Sequence, residues 1–186
     1  MPIVEMERRQ VVVIGAGPSG AIAAALLKRK GHDVLIIERQ HFPRFSIGES
    51  LLSHCIDFIE EAGMLDAVQA AGFQVKTGAA FAWGERYSAF DFGDTFSNGK
   101  PTTFQVQRGE FDKLLADQAA LQGVDIRYGE TIVGVHMPGR GALLYHQGRL
   151  SGEVADPAFA RAFFAIWLDS RTRVPALRAR LLGQAT

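Results

Sequence analysis

The chain has 186 residues, 47% of them apolar, with 20 Lys and Arg against 20 Asp and Glu. A net charge of zero argues against a basic nucleic-acid face and against a polybasic arm for a membrane surface. A single cysteine, Cys55, cannot form an internal disulfide, and five histidines without ligand spacing argue against a zinc site.

Cysteine usage fits a reducing compartment, so the expected location is cytoplasmic. The stretch MERRQ and the apolar run after it imitate a signal peptide, but glycines and Pro18 break that run after four residues. No uninterrupted apolar stretch reaches the ~18 residues of a membrane span.

In chain order, 11–14 reads as a short, β-branched, buried parallel strand. Residues 18–30 read as a helix with Ile22, Leu26 and Leu27 on its apolar side and Gly31 as its left-handed cap. A second buried strand is expected at 33–38, then a polar loop over 39–48. The spacing of Leu52, Cys55, Ile56 and Ile59 predicts a second helix over 49–63, stopped by Gly63. From 73 to 104, GAAFAWG and YSAFDFG alternate as strands of a separate antiparallel layer. A third helix is expected over 108–123, with Phe111, Leu114, Leu115 and Gln118 in register, and VDIRY as a strand beside the second.

A strand starts at 131–135, and HMPGRGA reads as a break before a hairpin over 143–154. Asp156 and Pro157 then mark a helix start, with Phe159, Ala162, Phe163 and Ile166 as its apolar face. RTRVPALRARLLG is basic and reads as helical to Gly183.

The stretch VVVIGAGPSG carries the first chemical signal. Gly15 permits a tight turn after the strand, Gly17 lets backbone approach a pyrophosphate, and Gly20 lets the helix pack closely. Pro18 and Ser19 complete the loop, and the helix start offers N–H groups and partial positive charge to an anion. Glu38, with Arg39 beside it, ends the next strand at the expected distance of ~20 residues from the glycines. Its carboxylate can accept both ribose hydroxyls and would repel a 2′-phosphate, which disfavours NADP. The loop by itself leaves FAD and NAD open.

Three segments in order, GAGPSG, FPRFSIGESLL and VQRGEFDKLLADQA, resemble FAD-dependent monooxygenases and the related flavin-dependent halogenases over about 11–135. The resemblance implies FAD as cofactor and an α/β fold. That fold is a Rossmann-like FAD-binding parallel sheet, incomplete, with a small antiparallel layer and a helical C-terminal tail. It lays Arg44, Gly48, Glu49 and Ser50 along the flavin and gives Arg108 a cofactor contact; the alternative for each arginine is a solvated surface charge. It also implies a small-molecule substrate, with a flavin reductase or NAD(P)H as reductant, and no nucleic acid or membrane partner.

Lys76, in GFQVKTGAAFAWG, matches a lysine that similar halogenases use to hand an oxidised halogen species to substrate. Related hydroxylases and reductases also carry a lysine here, and a solvated lysine on a strand is the alternative. The halogenase pattern of two tryptophans flanking Ile-Pro is absent, since Trp83 and Trp167 stand far apart.

No later Gly-Asp motif follows Val135, and FGDTF comes too early to serve. The tail over about 144–183, above all DPAFARAFFAIWLD, resembles the C-terminus of chalcone isomerase-like proteins. The expected domains are therefore 1–136, dinucleotide-binding, and 137–186, a hairpin-plus-helices tail, in a truncated or chimeric chain. Three functions follow: a flavin-dependent oxygenating or halogenating enzyme, a non-catalytic dinucleotide-binding remnant, or a small-molecule-binding module.

Overall fold

The computed structural model describes residues 7–94 and 99–184. Met6 of the signal-like stretch, and Thr95 and Phe96 of FGDTF, lie outside the described residues. Two compact units divide between Glu130 and Thr131. The boundary expected at 136 falls inside a strand of the second unit. No helix among the described residues is long and apolar enough to cross a membrane.

The first unit opens with β1 (Val11–Ile14), α1 (Pro18–Arg29) and β2 (Val34–Glu38). β1 and β2 are parallel, Val11 opposite Val34 and Ile14 opposite Ile37. β7 (Asp125–Tyr128) pairs with the other side of β2, giving a parallel sheet in the order β1-β2-β7. The Rossmann-like α/β arrangement is thus present. α1 presents Ala21, Ala24 and Ala25 to the core, side chains small enough for close packing. α4 (Arg108–Leu121) packs against α1 and buries Phe111, Leu115, Ala116 and Ala119. Gly31 and Gly123 follow these helices with φ of +87° and +88°, the left-handed closure that glycine permits.

β1 differs from the buried strand expected. Val12 is 46% and Ile14 61% exposed, while all five residues of β2 are buried. The exposure alternates: Val11 and Val13 pack against the core, while Val12 and Ile14 point to the opposite face of the sheet, which is left uncovered over β1.

α2 (Ser53–Glu61) starts later than expected. Residues 49–51 are held instead by β6 (Thr103–Gln105) and its extension: Val106 N–H donates to the Glu49 carbonyl at 2.8 Å, and Leu51 N–H to the Phe104 carbonyl at 3.1 Å. Leu52, placed on the apolar stripe by spacing, precedes the helix and is 73% exposed. Gly63 does mark the stop, with φ +69°. A further short helix, α3 (Leu65–Ala70), was not foreseen; it buries Val68.

The antiparallel layer is present as two separate pairs. β3 (Gln74–Lys76) pairs with β6, and β4 (Gly78–Trp83) pairs with β5 (Arg86–Asp91).

The second unit is an antiparallel sheet in the order β10-β9-β8, formed by β8 (Ile132–Met137), β9 (Gly141–His146) and β10 (Arg149–Val154). The expected hairpin is there, but the break before it is shorter, because β8 runs on to Met137. α5 (Pro157–Leu168) begins as the sequence indicates: Asp156 accepts N–H bonds from Ala158 and Phe159 at 2.8 and 3.0 Å. Its packed face is not the one expected. Ala160 is buried and the Phe164 ring stacks on His136 with centroids 5.2 Å apart, while Phe159 and Ile166 are exposed. The sheet selects the line through 160 and 164, which helical spacing alone did not single out. α6 (Pro175–Leu181) is shorter than the helix expected from 171, since the residue before Pro175 is biased away from helical backbone.

Candidate functional site

The carboxyl ends of β1 and β2 bring the glycine loop and Glu38 together. Gly15 takes φ +99° and donates its N–H to the Ile37 carbonyl at 2.8 Å, tying the turn to β2. A Cβ on Gly20 would lie 2.0 Å from the Gly15 carbonyl oxygen, so this glycine is what lets α1 rest on the loop. A Cβ on Gly17 would instead enter ordinary contact, 3.5 Å from Arg44 Nη2. It would fill the space between loop and guanidinium. The first turn of α1 leaves backbone N–H groups without intrahelical acceptors and contains no acidic residue.

Glu38 is buried, and its two oxygens accept the Ala16 N–H at 2.8 Å and the Gln40 N–H at 2.9 Å. Each oxygen keeps capacity for a further donor such as a ribose hydroxyl. Arg39 is exposed beside it. Pro18 and Ser19 border an apolar cavity of about 340 Å³ shared with Ile22, Leu26, Cys55 and Phe58; no charged group lines it.

Arg44 lies between the loop and α4. Its Nη2 is 3.8 Å from Glu38 Oε2 and 3.5 Å from Asp112 Oδ2, and its guanidinium lies 5.1 Å from the Phe42 ring centroid. Its Nε is buried and has no hydrogen-bond partner among the described residues. Gly109 makes room for this loop, since a Cβ there would lie 3.2 Å from the Arg44 carbonyl oxygen. Arg108 binds Asp112 through Nε at 2.7 Å and Nη2 at 3.0 Å, and donates from Nη1 to the Ile47 carbonyl at 2.6 Å. Gly48, with φ +92°, lies against the same nitrogen: a Cβ on it would be 3.2 Å away. Asp112 and Gly109 were not singled out from the sequence. The i, i+4 spacing of Arg108 and Asp112 was the available signal.

Glu49 and Ser50 are exposed and stitched to β6, Ser50 bridging to Gln105. β6 pairs with β3, where Thr103 faces Lys76. Lys76 thereby reaches Ser50: its ammonium donates to the Ser50 hydroxyl and lies 5.6 Å from the Phe92 ring centroid. The lysine on β3 thus has a polar partner, a hydroxyl from the segment that pairs with β6.

The loop, Glu38 and Arg44 fit an adenosine diphosphate group. The Arg44 guanidinium, through Nη2, stands across from the space that a Cβ on Gly17 would fill, where the first turn of α1 offers free N–H groups.

Comparison with known proteins gives a consistent picture. Residues 8–153 match the FAD binding domain family. That match includes β9 and most of β10, which the sequence had assigned to the tail. The chain is 38% identical over 130 residues to a tryptophan 2-halogenase from Chondromyces crocatus, covering 70% of this chain and 24% of that protein. Among solved structures, it superposes with a TM-score of 0.68 and 50% identity on a flavoprotein/dehydrogenase from Cytophaga hutchinsonii, covering 75% of this chain and 35% of that one. The myxobacterial chondrochloren halogenase CndH gives a TM-score of 0.66 at 32% identity, with 78% and 34% covered. The chain thus spans about a quarter of the curated relative's length. A family match over most of its residues, on a parallel sheet whose glycine loop, Glu38 and Arg44 converge, establishes that the chain belongs to the FAD binding domain family.

Proposed function

We propose that this chain is the dinucleotide-holding part of a flavin-dependent oxidoreductase of the monooxygenase/halogenase class. The observation that carries the reading is the Arg44 guanidinium, whose Nη2 lies 3.5 Å from where a Cβ on Gly17 would stand and 3.8 Å from Glu38 Oε2, and whose buried Nε has no hydrogen-bond partner among the described residues. Glu38 would accept ribose hydroxyls, and the helix N–H groups with Arg44 would take the pyrophosphate. Gly48, Glu49, Ser50 and Arg108 would run along the rest of the cofactor. When bound, FAD supplies redox chemistry with O₂ toward a small organic substrate or a halide; a flavin reductase or NAD(P)H would supply the electrons.

Lys76 is the candidate for passing an oxidised halogen to substrate. What supports it is its bond to Ser50, on the turn that the resemblance lays along the flavin. The match to residue 153 and the similarity to halogenases favour this reading over a chalcone isomerase-like module. The site residues, the division into a dinucleotide-binding region and a tail, and a cytoplasmic location belong to the same proposal.

The test is titration of the purified chain with FAD, followed by flavin absorbance and fluorescence. Saturable binding that Gly17→Val abolishes is expected. No binding, with helix content intact, would overturn the reading.

A further inference from the structure

We propose that Asp112 is the positioning residue that holds Arg44 and Arg108 as a pair facing the dinucleotide; this rests on the FAD-binding reading above. Asp112 is fully buried, at 0% exposure, on the first turns of α4. It binds Arg108 through both oxygens, at 2.7 and 3.0 Å, and Oδ2 also lies 3.5 Å from Arg44 Nη2. One carboxylate therefore joins an arginine from the loop after β2 to an arginine on α4. Arg108 extends the arrangement by donating to the Ile47 carbonyl beside Gly48, so the same carboxylate fixes the start of the G-E-S turn.

The geometry is unusual for a purely stabilising contact. Burying a carboxylate is costly, and a well-packed apolar residue commonly stabilises as much. α4 already buries Phe111 and Leu115 around this position. The two guanidiniums balance Asp112 and Glu38 in charge. Of the two arginines, Arg44 keeps a buried donor, its Nε, with no acceptor among the described residues. Asp112 and Glu38 both hold the same nitrogen, Arg44 Nη2, by charge, and that nitrogen borders the Gly17 gap. Asp112 thus acts through Arg44 and Arg108 and touches no ligand itself.

The 186-residue chain and its Asp112→Asn variant are titrated with ADP and with adenosine by ligand-observed NMR. Asn keeps the size of the side chain and removes its charge. ADP should bind about tenfold more weakly to the variant, the scale of a lost charge-assisted contact. Adenosine, which has no phosphate, should bind unchanged, and Asp112→Glu should recover part of the ADP affinity. Unchanged ADP affinity overturns the proposal, as does an equal loss for both ligands, which is what a merely structural role gives. A wild-type chain that binds neither ligand overturns the FAD reading together with this one.

Should Asp112→Asn unfold, a double-mutant cycle on the more exposed partners decides. If Asp112 couples the two arginines, Arg44→Met and Arg108→Met combined should weaken ADP less than the product of their separate effects. Independent, multiplicative losses overturn the proposal.

Discussion

Glu38 Oε2 accepts the backbone N–H of Ala16 at 2.8 Å, so the carboxylate at the end of β2 holds the glycine loop before any ligand arrives. Its other oxygen takes the Gln40 N–H. Glu38→Ala should therefore do two things. It should lower unfolding free energy by about 1–3 kcal/mol, the scale of leaving buried donors unsatisfied, and it should weaken ADP binding. Urea denaturation and an ADP titration measure the two effects separately. A variant with wild-type stability would show that the loop stands without this carboxylate.

The glycines of the loop should divide by mechanism. Gly20→Ala places a Cβ 2.0 Å from the Gly15 carbonyl oxygen and should destabilise the chain by about 1–3 kcal/mol or more. Gly17→Ala meets only ordinary contact, 3.5 Å from Arg44 Nη2, and should fold normally while binding FAD more weakly. Thermal unfolding beside FAD titration separates them; equal melting temperatures for the two variants would contradict the assignment.

The bond from Lys76 to the Ser50 hydroxyl gives a different expectation. Lys76 lies near the surface, so Lys76→Ala should change stability by no more than about 0.5 kcal/mol and leave FAD affinity as it is. In a longer enzyme containing this segment, halogenated product should vanish while flavin oxidation persists. Product formation by the variant would remove Lys76 from the reaction.

Burial pushes the Tyr128 phenol above its ordinary value, helped by the negative charge of Asp117. The folded chain then holds this proton more tightly than the unfolded chain does. Stability from this group is present below the ordinary phenol value of 10.0 and is lost as pH rises through the folded value. Tyr128→Phe keeps the ring contacts to His41 and Phe42, so it should flatten that alkaline decline. Unfolding measured from neutral to strongly alkaline pH checks this, and an identical decline in the variant would rule Tyr128 out as its source.

Asp156 caps α5 through two backbone N–H groups. Asp156→Ala should cost about 1 kcal/mol, and Asp156→Ser much less. Helix content and melting of the chain report it; equal melting of the two variants would mean the cap contributes little.

Local chemistry in the sequence determined the strand–glycine loop–helix, Glu38 at the next strand's end, the left-handed closures at Gly31, Gly63 and Gly123, and the cap at Asp156. Each depends on backbone dihedral freedom or on a donor and acceptor within a few residues, so neighbouring letters suffice. The hairpin over 143–154 was legible for the same reason. Only the tertiary structure decided what far-separated segments do to one another. Pairing with β6 stopped α2 from reaching back to 49 and brought Ser50 to Lys76. Packing on one face of β1 covered Val11 and Val13 and left Val12 and Ile14 of the other face exposed. The sheet of the second unit selected the line of Ala160 and Phe164 on α5 over Phe159 and Ile166. Asp112 shows the division within one residue: its pairing with Arg108 is written in a four-residue spacing. Its hold on Arg44 exists because Gly109 lets the loop after β2 come to rest on α4, a contact that no local pattern encodes.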